Sequence, residues 1–142
     1  MSEVDPHNQA TYRVCTIPSN LKETEIPKQA ILRELQRHHY CDDALFAIKL
    51  AMEEALTNAV KHGNRCDPTK CVTVRYAVTE EMVAIIVRDQ GNGFVPDEVP
   101  DPTAPDRLPV PSGRGIMLLR AYMDDVEYRD NGRELYLMKR RT

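Results

Sequence analysis

The spacing of apolar residues changes several times along the chain, and each change marks an element. From Thr11 to Ile17 the run T-Y-R-V-C-T-I reads as a strand, stopped by Pro18-Ser19-Asn20. Pro27 suits the first turn of a helix, where its missing N–H costs nothing. Ala30, Ile31, Leu35 and His38 then carry a helical stripe to about Tyr40. Asp42 is the N-cap candidate for a second helix. In it Leu45, Ile48, Met52, Ala55, Leu56 and Ala59 recur at three- and four-residue steps, and Gly63 with Asn64 supplies the stop. After the turn Asp67-Pro68-Thr69-Lys70, Val72, Val74, Tyr76 and Val78 alternate with Thr73, Arg75, Ala77 and Thr79, which is the period of a half-buried strand. Met82 to Arg88 is almost wholly apolar and so central in the sheet, antiparallel to the strand before it.

Residues 95–111 differ in kind. Six of the ten prolines fall there, a density that no helix or central strand tolerates. Such a stretch inside a small domain is a functional lid or a disordered segment. It ends at Ser112-Gly113-Arg114-Gly115, which opens a third helix marked by Ile116, Leu119 and Met123. Val126 to Arg129 and Glu134 to Lys139 are two more strands, around the hairpin signal Asp130-Asn131-Gly132. The order of elements predicts an α+β, two-layer α/β sandwich: a mixed, mainly antiparallel sheet with its helices on one face. Residues 1–10 read as a flexible arm and 11–142 as one domain.

Composition narrows the class. At 142 residues one domain is the default, and 42% hydrophobic with 29% charged residues fits a globular chain. No apolar run approaches the ~20 residues of a membrane span, and the polar start M-S-E-V-D-P-H-N-Q-A lacks a signal region, so a cytoplasmic address is expected. A net charge of -3 argues against direct nucleic-acid binding. Cys15, Cys41, Cys66 and Cys71 form no C-x-x-C pair and read as reduced thiols.

Three places look chemical. On the second helix Glu54, Asn58 and His62 stand at i, i+4 and i+8, a polar stripe beside the apolar one. An Asn oxygen suits Mg²⁺, which keeps waters and substrate phosphates as its other ligands, and a carboxylate one turn away is placed to orient a hydroxyl or water. A solvated helix face has the same composition. In R-D-Q-G-N-G-F, Asp89 ends a buried strand, and Gly91 and Gly93 let the backbone approach a ligand; a carboxylate there accepts from an exocyclic amine such as adenine's, although a tight turn would look alike. In S-G-R-G-I, backbone N–H groups at a helix start make an anion site to which Arg114 adds a charged donor. The order of the three, with a lid between the second and third, describes an ATP pocket. It is not a P-loop, an ordinary protein kinase or a dinucleotide fold, because their signatures are missing.

The arrangement resembles the Bergerat-type ATP-binding domain shared by gyrase, the Hsp90 chaperones, sensor histidine kinases and MutL. E-A-L-T-N-A-V-K-H-G-N is similar to its N box, D-Q-G-N-G-F to its G1 box and S-G-R-G-I-M-L-L to its G2 box. Within that group the chain most resembles the small bacterial anti-sigma factors with serine kinase activity, of the RsbW and SpoIIAB type, over about residues 11 to 140. The resemblance implies ATP and Mg²⁺ as cofactors. It makes Glu54 the general base, Asn58 the Mg²⁺ ligand, and Asp89 the acceptor for the adenine amine. Gly91 and Gly93 shape the base pocket; Gly113, Arg114, Gly115 and Ile116 lie against the phosphates; His62 belongs to the same cofactor-binding set; residues 95–111 are the ATP lid. It implies phosphorylation of a serine or threonine on an antagonist protein, a sigma factor as second partner, and a homodimer formed through the sheet. A nucleotide-sensing module that binds a partner without chemistry is the alternative. The chain departs from the family where Gly132 is followed by Arg133 and Glu134, since many relatives carry a Thr there.

Overall fold

A computed structural model describes residues 12–91 and 113–141, and of 113–117 the backbone alone. Strand β1 (Arg13–Pro18) leads through a short 3-10 turn (Leu21–Thr24) into helix α1 (Glu25–Arg37) and helix α2 (Asp42–Thr57), which continues as a π turn (Asn58–Gly63). Strands β2 (Cys71–Val78) and β3 (Met82–Arg88) follow, then helix α3 (Gly113–Tyr122) and strands β4 (Asp125–Arg129) and β5 (Glu134–Arg140). The strands form one sheet in the order β1-β2-β3-β5-β4, and every described pairing is antiparallel.

The period-two pattern sorts the strands' side chains between two faces. Val72 and Val74 of β2, Val83, Ile85 and Val87 of β3, and Leu135 and Leu137 of β5 meet Ile31 and Leu35 of α1, Ile48, Met52 and Leu56 of α2, and Leu119 of α3 in the main core. Burying each such side chain contributes about 1.5–3 kcal/mol. The opposite face carries a smaller cluster of Tyr12, Ala77, Ala84, Ile86 and Tyr136. Arg129 lies over the Tyr136 ring at 4.7 Å and shields it. The layers thus hold the ends of α2 and β3 in fixed register, and the candidate chemistry sits at those ends.

One helix boundary differs from the sequence expectation, and a second is reached by a different geometry. The first helix stops at Arg37 rather than Tyr40. His39 takes a left-handed φ of 63°, His39 N–H donates to Gln36 O (3.1 Å) and Tyr40 N–H to Leu35 O (3.1 Å). That is a Schellman ending with histidine where glycine is usual. Tyr40 still reaches the core, and its hydroxyl donates to Thr79 O at 2.8 Å. The second helix runs to Gly63 and is capped by Asn64, where the sequence places its stop, but it ends without a left-handed glycine. Its last turn widens, with Asn64 N–H donating to Ala59 O (2.8 Å), and the left-handed residues that reverse the chain are Arg65 (φ 53°) and Cys66 (φ 57°). Gly63, the last helical residue, has a further purpose.

Candidate functional site

The polar stripe on α2 is tied together locally. Asn58 Nδ2 donates to Glu54 Oε1 at 3.3 Å, and both side chains are half-buried. With its amide nitrogen turned to the carboxylate, Asn58 has its oxygen on the other side, the atom a hard cation needs. Glu53, one residue away and about 100° around the helix, serves structure instead: Lys28 of α1 donates to it at 2.7 Å and pairs with Glu25 at 3.0 Å. Across from Glu54, Tyr128 on β4 is half-buried, and its phenol is pushed up to about 12, first by burial and then by the charge of Glu54, with Arg120 opposing.

The π turn begins at Asn58, and its sixth residue is Gly63. A single widened turn of this kind is common at functional sites, because it re-aims the side chains that follow. His62 lies in this turn, and its buried Nδ1 has no hydrogen-bond partner among the described residues. Gly63 lies flat against Asp89: a Cβ on residue 63 would collide with Asp89 Oδ2 and Cγ and stand 2.9 Å from Asp89 Cβ. Gly91 closes the other side. A Cβ there would strike the Gly63 carbonyl oxygen, with the carbonyl carbon at 2.6 Å and Asp89 Oδ1 at 3.1 Å. The Asp89 carboxylate is therefore wedged between two residues without side chains, at the C-terminal end of a central strand.

Asp89 is 8% exposed. Burial raises its pKa; the Gly91 N–H, donating to Oδ1 at 2.8 Å, opposes that most, followed by the charges of Arg133, Arg88 and Lys70. Two further residues hold this corner. Asn64 is fully buried; its Nδ2 donates to Ser19 Oγ (2.6 Å) and Cys71 O (2.9 Å), and its Oδ1 accepts from Gln90 N–H (2.7 Å). One amide thus joins the end of β1, the start of β2 and the turn after β3. Arg133 Nε donates to Gly91 O at 2.9 Å, and Asp89 N–H donates to Arg133 O at 2.9 Å.

The structure brings Asp89, Gly91 and the π turn together and places Glu54 beside Asn58. Gly113, Arg114, Gly115 and Ile116 open α3, in line with the expected helix start, but their side chains lie outside the described residues, as do Gly93, the segment 95–111 and the arm 1–10. Asn64, Gly63 and Arg133 were not among the expected site residues, Arg133 being noted only as a departure from the family. Asn64 and Gly63 were read as a helix stop; the signal available was that both lie inside the N-box run. The donor set suits a nucleotide with its cation: an amide oxygen beside a carboxylate, an imidazole nitrogen without a partner, and a buried anionic acceptor flanked by glycines. Among the described residues no group of three or more His, Cys, Asp or Glu is gathered for a metal alone. Among them, too, no helix is long and apolar enough to cross a membrane.

An antiparallel sheet with helices on one face and a buried carboxylate between two glycines at the end of its central strand fits the α+β ATPase class. A family profile described as the histidine kinase-like ATPase domain matches residues 17–139, and the chain belongs to that family. It is 28% identical over 131 residues to the serine-protein kinase RsbW of Bacillus subtilis, covering 87% of this chain and 81% of the relative. It is 31% identical over 103 residues to an anti-sigma F factor of Clostridium perfringens, covering 69% of this chain and 74% of the relative. A solved structure of the RsbU and RsbW domains of a Mycobacterium tuberculosis protein matches with a TM-score of 0.58 and 17% identity, over 90% of this chain and 32% of that longer one. This last likeness concerns the fold alone.

Proposed function

We propose that the chain is an Mg-ATP-dependent serine/threonine kinase that phosphorylates an antagonist protein and holds a sigma factor in the alternate state. The observation that carries the reading is the Asp89 carboxylate, buried between Gly91 and Gly63, the last residue of the widened turn that starts at Asn58. Asp89 accepts the exocyclic amine of adenine; guanine presents an acceptor at that position, which a carboxylate repels. The closeness of the two glycines lets the flat base lie against the backbone. Asn58 offers its amide oxygen to the cation, and its bond to Glu54 fixes the rotamer (3.3 Å). Magnesium-bound ATP supplies the transferable phosphoryl group and neutralises its charge.

Glu54 takes the proton of the incoming hydroxyl as general base. The half-buried setting and the hydrogen bond from Asn58 hold the carboxylate in place for that task. His62, with its unpartnered Nδ1, completes the nucleotide side of the turn, and the α3 start from Gly113 to Ile116 directs backbone N–H groups at the phosphates. Residues 95–111 act as the lid. The names of the relatives support the partner assignment: one is a serine-protein kinase and another an anti-sigma F factor. The sheet face away from the helices, with Val14 58% exposed on it, receives a second copy.

The test is incubation of the purified chain with labelled ATP, magnesium and a candidate antagonist protein. Label on a serine or threonine of the antagonist, lost in Glu54→Gln, supports the kinase. ATP bound normally with no transfer to any antagonist overturns the kinase and leaves a nucleotide-sensing module.

A further inference from the structure

Arg133 is placed to do more than decorate the last hairpin. The turn between β4 and β5 has three successive left-handed residues, Asp130 (φ 52°), Asn131 (φ 55°) and Gly132 (φ 84°). This coil folds Arg133 back over the end of the sheet. Its backbone carbonyl accepts from Asp89 N–H (2.9 Å) while its Nε donates to Gly91 O (2.9 Å), so one residue grips both ends of the three-residue turn. Its Nη1 is anchored by Asp130 Oδ1 at 3.3 Å, and Asp130 is itself paired with Arg88. We propose that Arg133 is a positioning residue of the base pocket, setting the Asp89–Gly91 turn in the form that receives an adenine amine. The proposal rests on the assignment of Asp89 given above.

Electrostatics points the same way. The charged groups that face the Asp89 carboxylate are Arg133 from the β4–β5 turn, Arg88 from its own strand and Lys70 from the loop before β2; the π turn of α2 presents Gly63, which has no side chain. Burial favours the protonated acid, and Arg133 is the foremost of the three cations opposing it. A protonated Asp89 no longer serves as a charged acceptor for the base. Removing Arg133 therefore raises the pH below which nucleotide binding fades.

The test uses the full chain with Arg133→Gln, Arg133→Lys and Asp89→Asn. ATP affinity is measured by calorimetry as the pH is lowered from neutral into the ordinary carboxylate range. The Asp89 carboxyl is followed by carbon NMR in the nucleotide-free protein over the same range. Arg133→Gln is expected to weaken ATP binding about tenfold at neutral pH and to move both the binding profile and the Asp89 titration upward. Arg133→Lys, which keeps the charge without the planar fork, is expected to restore much of the titration but not the affinity. A purely structural arginine would lower the melting temperature and leave the Asp89 titration where it was. Wild-type affinity and titration in folded Arg133→Gln and Arg133→Lys would overturn the proposal; if Asp89→Asn abolishes binding in the same series, the base-site reading survives it. If Asp89→Asn binds ATP as the parent does, the base-site reading fails and the positioning role falls with it.

Discussion

The middle of the sheet and its far corner are packed by opposite means. In the middle, Ile85 and Leu137 press against Ile48, Met52 and Leu56, and density comes from branched side chains. At the corner, Gly63 and Gly91 meet across Asp89, and density comes from side chains that are missing. The middle is non-directional and stores most of the stability. The corner is held by named hydrogen bonds from Asn64 and Arg133, and it keeps a carboxylate in surroundings that disfavour its charge. The difference teaches that this fold spends part of the core's stability on a pre-shaped acceptor.

That contrast sets the order of expected damage. Gly91→Ala drives a methyl into the Gly63 backbone, which has no flexible end to give way, and is expected to cost about 3 kcal/mol in urea denaturation along with nucleotide binding. Asn64→Ala deprives Ser19, Cys71 and Gln90 of partners in a buried setting and is expected to cost about 2 kcal/mol. By contrast Ile85→Leu, a volume-conserving change in the middle of the core, is expected to cost under about 1.5 kcal/mol and to leave ATP affinity unchanged. A Gly91→Ala chain as stable as Ile85→Leu would erase the distinction between the two regions. Glu54→Gln is expected to leave the melting temperature unmoved while slowing phosphoryl transfer by about 10²–10⁴.

Much of the middle was legible in the sequence. The alternation of Val72, Val74 and Tyr76 and the helical spacing of Ile48, Met52 and Leu56 report burial directly, because each element is read from neighbours in the chain. The corner was only half legible. Asp89, Gly91, Glu54 and Asn58 stood out by residue type and spacing. The π turn did not, since widening a helical turn leaves no mark in composition. The bonds of Asn64 to Gln90 and of Arg133 to Gly91 were hidden for another reason: they span 26 and 42 residues, and only the closed sheet brings the partners near. Gly63 does mark the end of the helix, but its contact was hidden: it makes room for a carboxylate, while Arg65 and Cys66 turn the chain.

Asp89→Asn tests the central claim most directly, because it separates binding from folding. The folded carboxyl titrates above its unfolded value, so the stability it provides is lost as pH rises from the ordinary carboxylate range through the raised one, and the charged form is a burden at neutral pH. Titration calorimetry with Mg-ATP, beside urea melts at pH 7, reads both. The expected result is ATP bound by the parent chain, no detectable heat with Asp89→Asn, and a urea midpoint in that variant at or above the parent's. Unchanged ATP binding by Asp89→Asn, or no binding by the parent, would contradict the account.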